Sequence, residues 1–137
     1  MLRLFKQKEI HQPDGIEIKQ SPLHGRGVFA CKSFKPGAVI ETAPVILLQQ
    51  SDKDFLEATS LFRFYFLVND NNTPVVLGLG YSSLYNHTAK ANAVYTISLK
   101  ERVLIIKACK PILQGDEITL NYNGSADDET AVYFEPE

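Results

Sequence analysis

The chain has 137 residues, of which 45% are hydrophobic and 22% charged, and a formal net charge of -2. That length supports one core of ordinary size and leaves no room for a second. No apolar run approaches the roughly 20 residues of a membrane-spanning helix, and the acidic balance argues against the basic face by which nucleic-acid binders displace counterions.

Met1 to Glu9 mixes charges among its apolar residues, unlike the uninterrupted apolar stretch of a secretory signal. A cytoplasmic location, or a nuclear one in a eukaryotic host, is expected. Cys31 and Cys109 have no C-x-x-C spacing, so neither a disulfide framework nor a zinc cluster is indicated. Both are expected as reduced core residues.

Gly, Pro and β-branched clusters cut the chain into short apolar segments. Gly27–Cys31 and Ala38–Leu48 come first, and their Val, Ile and Phe content favours strands. Ser51 then offers an N-cap, with acid in the following turn, and Phe55, Ala58, Thr59 and Phe62 are spaced like one helical face. One short helix is expected there. The aromatic run Leu61–Val68 reads as a buried strand, with a continuing helix as the alternative. Asp70–Pro74 is a loop on its turn chemistry. Pro74–Leu79, Ala93–Leu99, Arg102–Ala108 and Glu117–Asn121 read as further strands, so the domain is expected to be mainly β.

A short repeat runs through this pattern. Ala30, Cys31, Lys32, Gly37 and Ile40 recur at the same offsets as Ala108, Cys109, Lys110, Gly115 and Ile118, with Phe34 matching Ile112. Both segments read as strand, turn, strand, with the glycine taking a positive φ. They point to a pseudo-twofold β architecture; convergence on the same turn chemistry is the alternative.

Three clusters carry the candidate chemistry. Gly25-Arg26-Gly27 would let backbone approach a ligand closely, although alone it reads more readily as a tight turn before a strand. It is not a dinucleotide fingerprint, because no third glycine follows at the required spacing. Asn86-His87 offers polar groups for a heteroaromatic ligand, or a structural histidine. Gly115 to Tyr122 reads as a turn and a strand with Ile118, Leu120 and Tyr122 on one face. The Tyr122 hydroxyl then reaches either a pocket or a backbone carbonyl. No acid–His–nucleophile order supports hydrolysis, and His11, His24 and His87 have no metal-ligand spacing.

In this order, from about Ile16 to Tyr122, the clusters resemble the SET domain family of protein-lysine methyltransferases. The likeness is to the small stand-alone type of large DNA viruses and bacteria, with Ser21 to Lys32 as its opening strand. It implies a single domain, 1–137, with a core of about 16–122: a β-clip-like fold of short antiparallel sheets and one short helix. The carboxy-terminal motif would thread beneath an earlier loop as a pseudoknot, bringing Asn86 and His87 beside Asn121 and Tyr122, and residues 123–137 would form a tail closing the site.

The resemblance also implies S-adenosylmethionine, leaving as S-adenosylhomocysteine, and no metal. Residues matching Gly25, Arg26 and Gly27 hold its methionine portion, those matching Asn86 and His87 its adenine and amino groups, and Tyr122 falls on the active-site tyrosine, also beside the cofactor. A neutral lysine amine would receive the methyl in line through a narrow aromatic channel, for which Tyr133 and Phe134 are the leading candidates, then Tyr81 and Tyr85. Two departures stand out: Thr88 to Asn92 lacks the usual Cys and Pro, and Leu120 replaces the aromatic residue that helps set methyl number, which leaves methylation state open.

Asp116, Glu117, Asp127, Asp128, Glu129 and Glu135 suggest an acidic rim that steers a basic, lysine-containing protein or peptide. Histone tails and ribosomal or nucleoid proteins are compatible; nucleic acid and membrane are not expected as partners. Oligomeric state stays open, with a homodimer favoured because lone domains of this size often pair. The competing readings are a catalytically silent SET-like peptide-binding module and a small β-clip protein without a cofactor.

Overall fold

The computed structural model describes residues 7–68, 70, 72–124 and 127. Two sheets carry the described strands. The smaller contains β1 (Ile16–Gln20), β2 (Arg26–Ala30), β6 (Asn86–His87) and β9 (Glu117–Leu120), in the order β1-β2-β9-β6. The larger contains β3 (Val39–Leu48), β4 (Tyr65–Leu67), β5 (Val75–Gly78), β7 (Ala93–Ser98) and β8 (Val103–Ala108), in the order β4-β5-β3-β8-β7. Apart from Leu61–Val68 the expected strands therefore form, and the fold is mainly β. The strand β1 is additional; its two isoleucines alternate with Glu17 and Lys19, a weak pattern suited to a half-buried edge.

Antiparallel pairing aligns Val28 with Ile118, while parallel pairing aligns Asn86 with Thr119 and His87 with Leu120. One strand, β9, thus holds the first motif on one side and the middle motif on the other. Its Ile118 and Leu120 are buried in one core cluster with Val28, Leu104, Ile106 and Ile112, each worth about 1.5–3 kcal/mol against exposure.

The repeat is a real structural twofold. Gly37 N–H donates to the Ala108 carbonyl at 2.7 Å and Gly115 N–H to the Ala30 carbonyl at 2.8 Å. Phe34 and Ile112 exchange two backbone bonds of 2.8 and 3.0 Å between them.

Three expectations are corrected. The helix α1 runs Gln50–Leu56 and its N-cap is Gln49, two residues before Ser51, because the Asp52 carboxylate accepts from Gln49 N–H at 2.9 Å. It buries no residue, and Phe55 is 75% exposed. The supposed face cannot continue: the Thr59 hydroxyl donates to the Leu56 carbonyl and accepts from Leu61 N–H, starting a separate 3₁₀ turn at Ser60–Arg63. Consequently Leu61–Val68 is not one buried strand; only Tyr65–Leu67 pairs, at a sheet edge, with Leu61, Phe64 and Leu67 exposed. Cys31 is exposed in the turn after β2 rather than in the core, and Cys109 is half-buried.

Candidate active site

The site grows from the turn before β2. Ser21 N–H closes it on the Gly25 carbonyl at 2.8 Å, and Gly25 takes φ +41°. Asn86, 6% exposed, donates to the His24 carbonyl at 3.0 Å and to the Glu117 carboxylate at 2.8 Å. That carboxylate also accepts from the Ser21 hydroxyl, 2.8 Å to the nearer oxygen. Gly27 is buried against this group, and a Cβ there would fall on Glu117 Oε1 and lie 3.0 Å from Asn86 Nδ2. Glu117 is therefore an internal bracket and not part of an acidic rim. Asp116 is spent at its own turn, accepting from Leu113 N–H, and Asp127 pairs with Lys110. Asp128, Glu129 and Glu135 lie outside the described residues.

The loop after His87, which lacks the usual Cys and Pro, is tied down by other means. Asn92 donates to the Glu117 carbonyl and accepts from Thr119 N–H, both at 2.9 Å. The Thr88 and Thr119 hydroxyls meet at 2.8 Å, and Asn121 donates to the Ala89 carbonyl at 3.1 Å.

Tyr122 joins these parts. Its amide donates to His87 Nδ1 at 3.0 Å, and the two rings lie 5.0 Å apart. Burial lowers the His87 pKa below the ordinary 6.5, keeping Nδ1 an acceptor near neutrality. The Tyr122 hydroxyl donates to the Tyr85 carbonyl at 2.7 Å, and burial pushes its pKa up to about 12.

Two clefts flank Tyr122. One, of about 580 Å³, is lined by aromatics including Phe64, Phe66, Tyr85 and Tyr95. The Phe66 and Tyr95 rings stand edge-on at 4.9 Å. The other, of about 800 Å³, is lined by His24, Arg26, Asn86, Leu84 and the turn around Thr59. Phe62, Arg63, Phe64, Ser83 and Tyr122 line both.

Of the residues expected in a channel, Tyr85 borders the aromatic cleft with its hydroxyl turned away to Glu41, 2.8 Å distant. Tyr81 and Leu120 line neither cleft; Leu120 is core, and Tyr81 packs against the core with its amide on Glu41. Tyr133 and Phe134 lie outside the described residues. The aromatic residues Phe64, Phe66 and Tyr95 were not anticipated as site residues, and nothing local marks them. Glu41 carried one signal, an acid within an apolar strand. Among the described residues no group of three or more His, Cys, Asp and Glu side chains could hold a metal ion.

A mainly β chain with paired clefts that share a wall including Tyr122 fits the class that the motifs suggested. Residues 25–123 match the SET domain model, and the chain belongs to the SET domain family. It is 23% identical over 108 residues to the histone-lysine N-methyltransferase of Schizosaccharomyces pombe specific for H3 lysine 37, covering 78% of this chain and 72% of that protein. It is 26% identical over 123 residues to the histone-lysine N-methyltransferase trithorax of Drosophila virilis, covering 85% of this chain and 3% of that much longer protein. A crystal structure of a candidate histone methyltransferase from Plasmodium falciparum superposes with a TM-score of 0.66 at 30% identity, covering 85% of this chain and 97% of that one.

Proposed function

We propose that the chain is a protein-lysine N-methyltransferase that uses S-adenosylmethionine, with the cofactor in the cleft of Arg26 and Asn86 and the acceptor lysine in the aromatic cleft. The observation that carries this reading is Tyr122 standing in the wall common to both clefts. Relatives named as histone-lysine methyltransferases support it.

The cofactor cleft suits a charged, partly aromatic ligand. Its volume falls within the range of roughly 300–1,000 Å³ for small-molecule sites. Gly27 keeps the turn tight against the Asn86–Glu117 bracket, Arg26 offers a cation for a carboxylate, and Phe62 and Phe64 offer faces for a flat ring. His87, behind Tyr122, sets the tyrosine's backbone. When bound, S-adenosylmethionine supplies an electrophilic methyl group.

The protein's part is to present a neutral amine in line with that methyl. Aromatic walls exclude water, which lowers a lysine's pKa and exposes its lone pair; they also attract an approaching ammonium. Tyr122 orients the amine as an acceptor, because its own proton is committed to the Tyr85 carbonyl. With its pKa raised to about 12, the phenol keeps that proton at neutral pH and acts as no general base.

The test is labelled methyl transfer from S-adenosylmethionine to core histones and to whole-cell lysate, with the modified residue identified by mass spectrometry. The wild type should label lysine, and Tyr122→Phe should label it far more slowly. Cofactor binding without any transfer would instead mark a silent peptide-binding module.

A further inference from the structure

Glu41 lies within β3 and is 2% exposed, the only buried acid among the described residues. Strict alternation would turn Glu41 outward beside the inward Ile40. A bulge between Val39 and Glu41, opposite β8, breaks the alternation and turns both inward. Burying a carboxylate is costly unless donors meet it. Two do: the Tyr85 hydroxyl reaches Oε1 at 2.8 Å and Tyr81 N–H reaches Oε2 at 2.9 Å. Gly80, at φ +63°, lets the chain pass close, since a Cβ there would lie 2.8 Å from Oε2. The same loop is anchored to β3 again through Leu79 N–H on the Pro44 carbonyl at 2.9 Å.

The grip ends at the reacting centre. Tyr85 is held by its hydroxyl at one end, and its backbone carbonyl accepts the Tyr122 hydroxyl at the other. We propose that Glu41 is a positioning residue for methyl transfer: it fixes Tyr85 so that the Tyr85 carbonyl takes the Tyr122 proton, leaving the phenol oxygen to accept from the substrate amine. The inference rests on the methyltransferase reading above.

Steady-state kinetics and a double-mutant cycle test it, with core histones, or the lysate protein that labelling identifies, as acceptor. Tyr85→Phe deletes one oxygen and keeps the ring. It should lower kcat about tenfold or more, since displacements near 1 Å can cost about a hundredfold. The acceptor KM should stay within about twofold, and S-adenosylhomocysteine affinity should be unchanged, because Tyr85 does not line the cofactor cleft. Glu41→Gln should keep most of the rate, its amide accepting from Tyr81 N–H and donating to the Tyr85 hydroxyl.

In a Tyr122→Phe background the loss from Tyr85→Phe should vanish, because both act through one hydroxyl. Additive losses, or a Tyr85→Phe effect confined to KM or to melting temperature, would show Glu41 to be a structural strut and overturn the inference while leaving the methyltransferase reading intact. A wild type that binds S-adenosylhomocysteine but transfers no methyl to histone or lysate protein overturns that reading, and this one with it.

Discussion

Asn86 donates to the Glu117 carboxylate at 2.8 Å, at the spot that a side chain on Gly27 would need. Glu117 cannot swing aside without releasing the Ser21 hydroxyl as well as Asn86. Gly27→Ala should therefore destabilise the fold by about 1–3 kcal/mol, the cost of polar groups left unpaired. It should also weaken S-adenosylhomocysteine binding about tenfold or more, through displacement of the turn that carries Arg26. Thermal unfolding and calorimetric titration read the two effects; wild-type affinity in the variant would mean that the bracket does not shape the cofactor cleft.

The contact between His87 and Tyr122 gives a pH dependence of definite sign. Nδ1 of His87 accepts the Tyr122 amide at 3.0 Å and can do so only when that nitrogen carries no proton. Burial lowers the folded-state pKa below the ordinary 6.5, so at acid pH the unfolded chain binds more protons than the folded one. This stabilising contribution is complete above pH 6.5 and is lost as pH falls through the lower folded value. The melting-temperature gap between wild type and His87→Ala should narrow from about pH 8 to about pH 5. A gap that stays constant over that window would rule out a lowered His87 pKa.

What the sequence disclosed divides along a physical line. The twofold hairpins were legible because Gly37 and Gly115 answer a local demand, a positive φ, and the central strands because β-branched runs suit a pleated sheet wherever they pair. The Phe55 face was misread because spacing reports periodicity and not whether anything covers it; α1 packs no residue into the core. Glu117 was assigned to a solvent rim because a charge is visible in sequence, whereas its partner Ser21 lies 96 positions away. Tyr95 and Phe66 stand on β7 and β4, the opposite edges of one sheet, and meet only in the tertiary fold, so no local pattern could place them together. The Gly25–Gly27, Asn86–His87 and Tyr122 groups each had an ordinary structural reading alone, and stood out only as an ordered set resembling the SET domain family.

The hairpin glycines should respond as equals. Gly37 and Gly115 have φ of +87° and +94°, and a Cβ on either would meet nothing within 4 Å. Substitution by alanine thus incurs backbone strain alone, about 1–2 kcal/mol at each position. Urea unfolding of Gly37→Ala and Gly115→Ala should shift both midpoints by similar amounts with unchanged slope. A large inequality would show that the structural twofold is not an energetic one.

Separate clefts imply separable binding defects. Tyr95 lines only the aromatic cleft, where its ring stands edge-on to Phe66, and Arg26 lines only the other. Tyr95→Leu keeps bulk but removes ring faces that would hold a cation and exclude water, so the acceptor KM should rise about tenfold; a cation–π contact and an aromatic pair are each worth about 0.5–1.5 kcal/mol. S-adenosylhomocysteine affinity in that variant should match wild type. Arg26→Met should do the reverse, weakening S-adenosylhomocysteine about tenfold or more through loss of a charge-assisted hydrogen bond of about 1.5–3 kcal/mol, with the acceptor KM nearly unchanged. Since Tyr122 belongs to both walls, Tyr122→Phe should fall chiefly on kcat. If Tyr95→Leu and Arg26→Met each impaired both ligands, the clefts would be one binding space, and the opposed approach of methyl donor and amine would lose its structural basis.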